Sequence, residues 1–145
     1  MKRFLILLMT LIALMTGLGF NSTAAVIEEP GIMPCYNNAK SASVTLTVSS
    51  SGKATIKITC SGKEDVTSKI TAVTYLQRKA GLIWVKVDNG LSNKEWTDTV
   101  YTIDMNKTYT LQLEKTGTYR VKTEFTVKGT GGASDVISLT DSIVY

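Results

Sequence analysis

The sequence predicts an all-β fold, a sandwich of about seven or eight antiparallel strands in two layers. Three observations carry this prediction. Residues 116–127 alternate strictly. Tyr119, Val121, Phe125 and Val127 fall on one side and Arg120, Lys122, Glu124 and Thr126 on the other, as in a half-buried strand. Turn signals rich in Ser, Gly, Asn and Asp recur roughly every 8–12 residues, and no stretch has the periodicity of an amphipathic helix. Both prolines, Pro30 and Pro34, lie near the front, and the rest of the chain is free of them, as central strands require.

Residues 1–25 read as a secretory signal peptide. Met1-Lys2-Arg3 is a basic start, residues 4–15 are an apolar core, and Ser22-Thr23-Ala24-Ala25 is a small-residue exit cleaved after Ala24 or Ala25. The apolar run is short for a span of about 20 residues and is broken by Thr and Gly. Residues 26–41 form an N-terminal arm, because Pro30-Gly31 and Met33-Pro34 are not regular structure. Residues 42–145 are the sandwich domain.

Within it, Val44, Leu46 and Val48 alternate with Ser and Thr. After the turn Ser50-Ser51-Gly52, Ala54, Ile56, Ile58 and Cys60 alternate with Lys53, Thr55, Lys57 and Thr59. This is a β-hairpin. Residues 61–69 are polar and read as a loop. Residues 70–79 and 82–87 form a second hairpin about Ala80-Gly81, with apolar residues on both faces, closed by Asp88-Asn89-Gly90. Residues 96–105 are a weaker strand, 109–113 a short one, 128–132 a glycine-rich turn and 134–145 the last strand.

Composition excludes much chemistry. The chain has 145 residues, one domain on size, and carries 16 Lys and Arg against 12 Asp and Glu. Without Lys2 and Arg3 the balance is 14 against 12, an ordinary solubility charge rather than a nucleic-acid footprint. There is no histidine, so Ser-His-Asp and Cys-His triads and His-ligated metals are excluded in their usual form. The two cysteines, Cys35 and Cys60, read as one disulfide in an exported protein, closing a loop worth roughly 3 kcal/mol; two free thiols are the alternative in an anaerobic organism.

Ser50-x-x-Lys53 and Lys115-Thr116-Gly117 occur in the order used by penicillin-binding enzymes, but the Ser-Asp-Asn element is missing and Ser50 lies in a hairpin turn. Gly129-Thr130-Gly131-Gly132 lacks the strand-to-helix context of a phosphate loop. Asp88, Asp98, Asp104, Asp135 and Asp141 match no calcium loop and read as solvated turn residues. Asn106-Lys107-Thr108 fits a glycosylation sequon. No catalytic, cofactor or metal residue is assigned.

Tyr75, Trp84, Trp96 and Tyr101 fall in the middle strands, where facing is ambiguous. Core packing is the commoner use of such residues. A row of them on an open face would stack on sugar rings or on a protein partner. Lys53, Lys57, Arg120, Lys122 and Lys128 lie on outward faces, where they keep strands soluble or meet anionic wall polymers.

The order Tyr109-Thr110-Leu111-Gln112-Leu113, a Lys-Thr-Gly turn, then Tyr119-Arg120-Val121 resembles the E–F corner of immunoglobulin-like and fibronectin-type sandwiches. The resemblance implies that Tyr119 bonds back to backbone as a tyrosine corner. Val121 stands where antibody domains have their second Cys, so the usual inter-sheet bridge is not implied. The leader, Gly117-Thr118-Tyr119-Arg120-Val121-Lys122 and Tyr75-Leu76-Gln77-Arg78 resemble small exported proteins of Gram-positive bacteria that carry domains of unknown function. That likeness implies no activity. The expectation is a secreted, non-catalytic module, binding or structural, whose partner is a cell-wall glycan or an extracellular protein. It needs no cofactor and contacts neither nucleic acid nor, once the leader is removed, membrane. The alternative is a secreted effector or inhibitor that binds a protein through its loops.

Overall fold

The computed structural model describes residues 35–145, so the expected leader and most of the arm lie outside the described residues. These residues form eight strands: β1 (Ala39–Val48), β2 (Lys53–Gly62), β3 (Thr67–Ala80), β4 (Ile83–Lys86), β5 (Trp96–Val100), β6 (Asp104–Gln112), β7 (Thr118–Gly129) and β8 (Asp135–Val144). One sheet has the order β1-β2-β6. The other has the order β4-β3-β7-β8, with β5 also paired to β3. Every pairing is antiparallel.

Alternation decides which side chains meet between the layers. In the first sheet Leu46 pairs with Ile56, Val44 with Ile58, and Ala54 with Leu111, so each strand turns its apolar set inward. In the second, β7 turns Tyr119, Val121, Thr123, Phe125 and Val127 inward, all buried. Across from them β3 buries Ile70, Ala72, Thr74 and Leu76. The two threonines in this set satisfy each other, Thr74 Oγ1 to Thr123 Oγ1 at 3.0 Å, which removes the cost of burying two hydroxyls.

The strand β3 serves two partners on one edge. Ile70–Thr74 pairs with β5, and Gln77–Ala80 pairs with β4. The stretch expected as one strand over 96–105 is therefore split. The chain bends at residues 101–103, and Met105 belongs to β6, paired with Cys60. The expected loop over 61–69 shrinks to four residues, because β2 runs to Gly62 and β3 starts at Thr67. Gly62 and Thr67 come close enough that a Cβ on Gly62 would collide with the Thr67 side chain.

Three aspartates fasten the sandwich, where solvated turn residues were expected. Asp135 is 8% exposed and accepts backbone N–H groups from Asn37 (2.9 Å), Asn38 (2.6 Å) and Ala39 (2.8 Å). Burial works to raise its pKa, but the three amides and the Lys63 charge more than offset this and hold it below the usual carboxylate value. The Asn38 side chain completes the clamp, donating to the Ala133 carbonyl at 2.9 Å and accepting from the Gly131 N–H at 3.1 Å. On one open side of the sandwich, Asp141 accepts the Leu46 N–H at 2.7 Å. On the other, Asp98 accepts the Tyr109 hydroxyl at 2.6 Å and pairs with Lys107 at 3.1 Å. Burial first, then the Asp98 bond and charge, raise the Tyr109 pKa.

At the opposite pole from the Asp135 clamp, the Tyr119 hydroxyl donates to the Lys115 carbonyl at 2.5 Å, so the residue that opens the β7 core row also ties down the turn before it.

The expected Cys35–Cys60 disulfide is not formed. Cys60 is buried on the inward face of β2, opposite Met105 and Ala42, and Cys35 is exposed. The reason is the clamp. Asn37 and Asn38 are drawn to Asp135 and Ala133 at the start of β8, so the arm does not fold back over Cys60. Burial, and then the charges of Asp104 and Asp135, push the Cys60 thiol up to about 11. Native protein is therefore expected to give one fast thiol with a disulfide-exchange reagent at neutral pH, and a second only on unfolding. Two prompt thiols, or none after denaturation without reductant, would contradict this placement.

Candidate functional site

The outer face of the β4-β3-β7 part of the larger sheet concentrates charge and aromatic surface. Register places Gln77 between Lys86 on β4 and Arg120 on β7, and Tyr75 opposite Lys122. Trp84 pairs with Lys79 in the next row. Alternation sends all of these away from the core. The Arg120 guanidinium lies over the Trp84 ring, 4.2 Å from its centroid, and its Nε donates to Gln77 at 2.8 Å. The Lys86 ammonium lies 4.7 Å from the Tyr75 centroid and pairs with Glu95. Cation–π contact explains why these rings are half-buried on a face that no other element among the described residues covers.

Lys69, Lys79, Lys86, Arg120, Lys122 and Lys128 therefore share this face, against the carboxylates of Glu95 and Glu124. Beside them β8 shows only Val136, Ser138, Thr140, Ser142 and Val144 outward. A shallow depression of about 200 Å³ opens between Tyr75, Lys122, Glu124 and Ser138. The other sheet is different. Its outer face carries Lys53 and Lys57 among Ser43, Thr45, Thr47, Thr55, Thr59, Thr108 and Thr110.

Of the aromatics singled out in the sequence, the structure brings Tyr75 and Trp84 together and separates the other two. Trp96 pairs with the buried Thr74, so it turns inward. There it stacks on Tyr109, with centroids 4.9 Å apart and planes 12° apart. Tyr101 is 76% exposed in the bend before β6, and its partner is Lys69. Sequence reasoning left out Lys69, Lys79 and Lys86. The signal was present in the period-two spacing of Trp84 and Lys86 and of Tyr75, Gln77 and Lys79, but which side that set took depends on which strands pair with β3.

A second concavity, of about 300 Å³, lies at the tyrosine-corner pole between the inner side of β4 and the segment after β6. It exists because the larger sheet overhangs. No strand of the three-stranded sheet faces β4, and Ile83 and Val85 on its inner side stay 64% and 47% exposed. Overhang also explains why apolar residues of β4 stay exposed on its inner side while Trp84 lies on the outer one. Among the described residues no group of three Cys, Asp or Glu is placed to hold a metal ion.

No family profile matches the chain, and no curated protein sequence matches it. Solved structures do. A GH3 beta-glucosidase from Bifidobacterium adolescentis is similar over 71% of this chain and 18% of its own, at 16% identity and a TM-score of 0.42. A beta-glucosidase from Listeria innocua, in complex with gluconolactone, is similar over 70% of this chain and 16% of its own, at 14% identity and a TM-score of 0.40. The chain thus spans less than a fifth of the length of the enzymes it is similar to.

Proposed function

We propose that this chain is a secreted, non-catalytic module that binds an anionic polymer at the cell exterior through the outer face of its larger sheet. One observation carries the reading: six cations and two aromatic rings share that face with two carboxylates, whereas the opposite face is threonine-rich with two lysines. Field from like charges on a flat surface adds up, and it attracts a polyanion more than any isolated lysine does. The aromatic rings hold Arg120 and Lys86 in place, which lowers the side-chain entropy lost on binding. Since Arg120 covers Trp84, a neutral sugar gains less by stacking there than an anionic one gains from the cation. Export rests on the leader motif in residues 1–25.

The test is binding of the purified domain to immobilised anionic and neutral cell-wall polymers. The anionic polymer should be retained and then released as salt screens the face, by about 0.5 M. Replacing Arg120 and Lys122 by alanine should weaken binding roughly tenfold. Replacing Lys53 and Lys57, on the other sheet, should leave it unchanged. Equal loss from both pairs, or retention of neutral glycan alone, would reject the assignment.

A further inference from the structure

The smaller sheet is one strand short on its β6 side, and the gap is lined for a particular kind of occupant. The Leu113 N–H donates to the Gly52 carbonyl, so in the antiparallel pattern Leu111 and Leu113 spend their backbone groups on the β2 side. Thr110 and Gln112 turn theirs to the free side. β6 has no second strand partner among the described residues. The first half of this edge is covered by side chains from β5, through the Trp96–Tyr109 stack and the Asp98–Lys107 pair. The second half, from Thr110 onward, opens on the cleft.

The walls of that cleft are apolar and its charges are uneven. Val85, Val87 and Leu113 supply hydrocarbon. Arg78 sits in the inward row between Val85 and Tyr119, where arginine is out of place unless something pairs with it. Neither Arg78 nor Lys115 has a salt bridge or a side-chain hydrogen bond among the described residues. Of the two carboxylates that line the cleft, Asp88 is engaged with the Gly90 N–H at 2.9 Å, and neither Asp88 nor Glu114 forms a salt bridge with Arg78.

We infer that the free half of the β6 edge accepts one extended peptide strand from a protein partner, with alternate apolar side chains and an acidic one. Backbone groups left free at every second residue match another backbone better than any isolated group. Strand addition to an open edge uses them all. The apolar side chains of the added strand would cover Val85 and Ile83. Its carboxylate would meet Arg78 in a forked pair that lysine could not make. The cleft shares only Lys86 with the outer basic face, and neither Arg120 nor Lys122 lines it, so either surface can fail without the other.

The probe is an acetylated, amidated peptide alternating valine and threonine around one glutamate, with two twins N-methylated on one or the other set of alternate residues. The parent and one twin should bind, and the other twin should not. Amide exchange at Thr110 and Gln112 should slow about tenfold at saturation. Arg78→Gln should weaken the glutamate peptide roughly tenfold and leave a glutamine version unchanged. Equal binding by both twins, or shifts in the cleft without protection of Gln112, would mean a small-molecule cleft and overturn strand addition. Shifts confined to Trp84 and its neighbours, or no binding at millimolar peptide, would overturn it as well.

Discussion

Asp135→Ala is expected to lower stability by about 3–5 kcal/mol, read as a shift in the urea midpoint at unchanged slope. Its carboxylate is the acceptor for three consecutive amides, and removing it strands all three at a buried site. Each costs about 1–3 kcal/mol unless water replaces the lost partner, which the close turn resists. A Cβ on Gly129 would run into the Val66 carbonyl, and one on Gly131 into that of Asn37, so little room is left for water. For a domain of ordinary stability the loss is a third or more of the total. The pH dependence follows. The folded pKa of Asp135 lies below the unfolded value of about 3.9, so its contribution is complete above that value and is lost as pH falls through the folded one. Asp98, held low by Tyr109 and Lys107 against the opposing effect of burial, acts in the same direction. Asp135→Asn should therefore lose less stability than wild type between about pH 5 and pH 2. Parallel profiles for the two proteins would show that the clamp does not depend on charge.

Phe125→Ala should cost about 3–5 kcal/mol in the same assay. The ring is fully buried at the middle of β7, flanked by Ala72 on β3 and Ile137 on β8. Ala72 is small, so the aromatic ring fills space its neighbour leaves. The layers cannot close over the gap, because Asp141 and Asp98 fix their separation on both sides. Phe125→Leu should cost less than about 1.5 kcal/mol. Val144→Ala, at a position 77% exposed, should stay within about 0.5 kcal/mol. If Phe125→Ala fell in that range too, the core would be more plastic than its packing implies.

The strands were legible where one face is dry and the other wet. In β2, β7 and the second half of β6, from Tyr109 on, a period of two is visible because each residue has one environment, and Tyr119, Phe125 and Ile56 could be placed from spacing alone. The middle of the chain was not legible in this way. β4 overhangs and β5 crosses to the edge of β3, so their facing depends on which strands the opposite sheet lacks. Trp84 and Trp96 look alike in sequence, yet one ends under an arginine outside and the other between the layers. The aspartates were missed for a different reason. Asp135 meets Asn37 across 98 residues of sequence, and no local pattern marks an acceptor whose donors are backbone. The inference of a disulfide failed at the same point, because the count of cysteines says nothing about where an arm is pulled.

The clamp also fixes how tension would pass through the domain. Asn37 is held at the start of β8, and Tyr145 at its end exchanges two backbone hydrogen bonds with Gly117. Ten residues of strand separate these anchors, about 34 Å along the sheet. Traction applied to the two ends of the described chain thus runs parallel to the strands. Interstrand bonds lie across that axis and are loaded together in shear, instead of peeling one after another. A domain gripped in this way resists stretching along that axis better than its equilibrium stability alone would suggest.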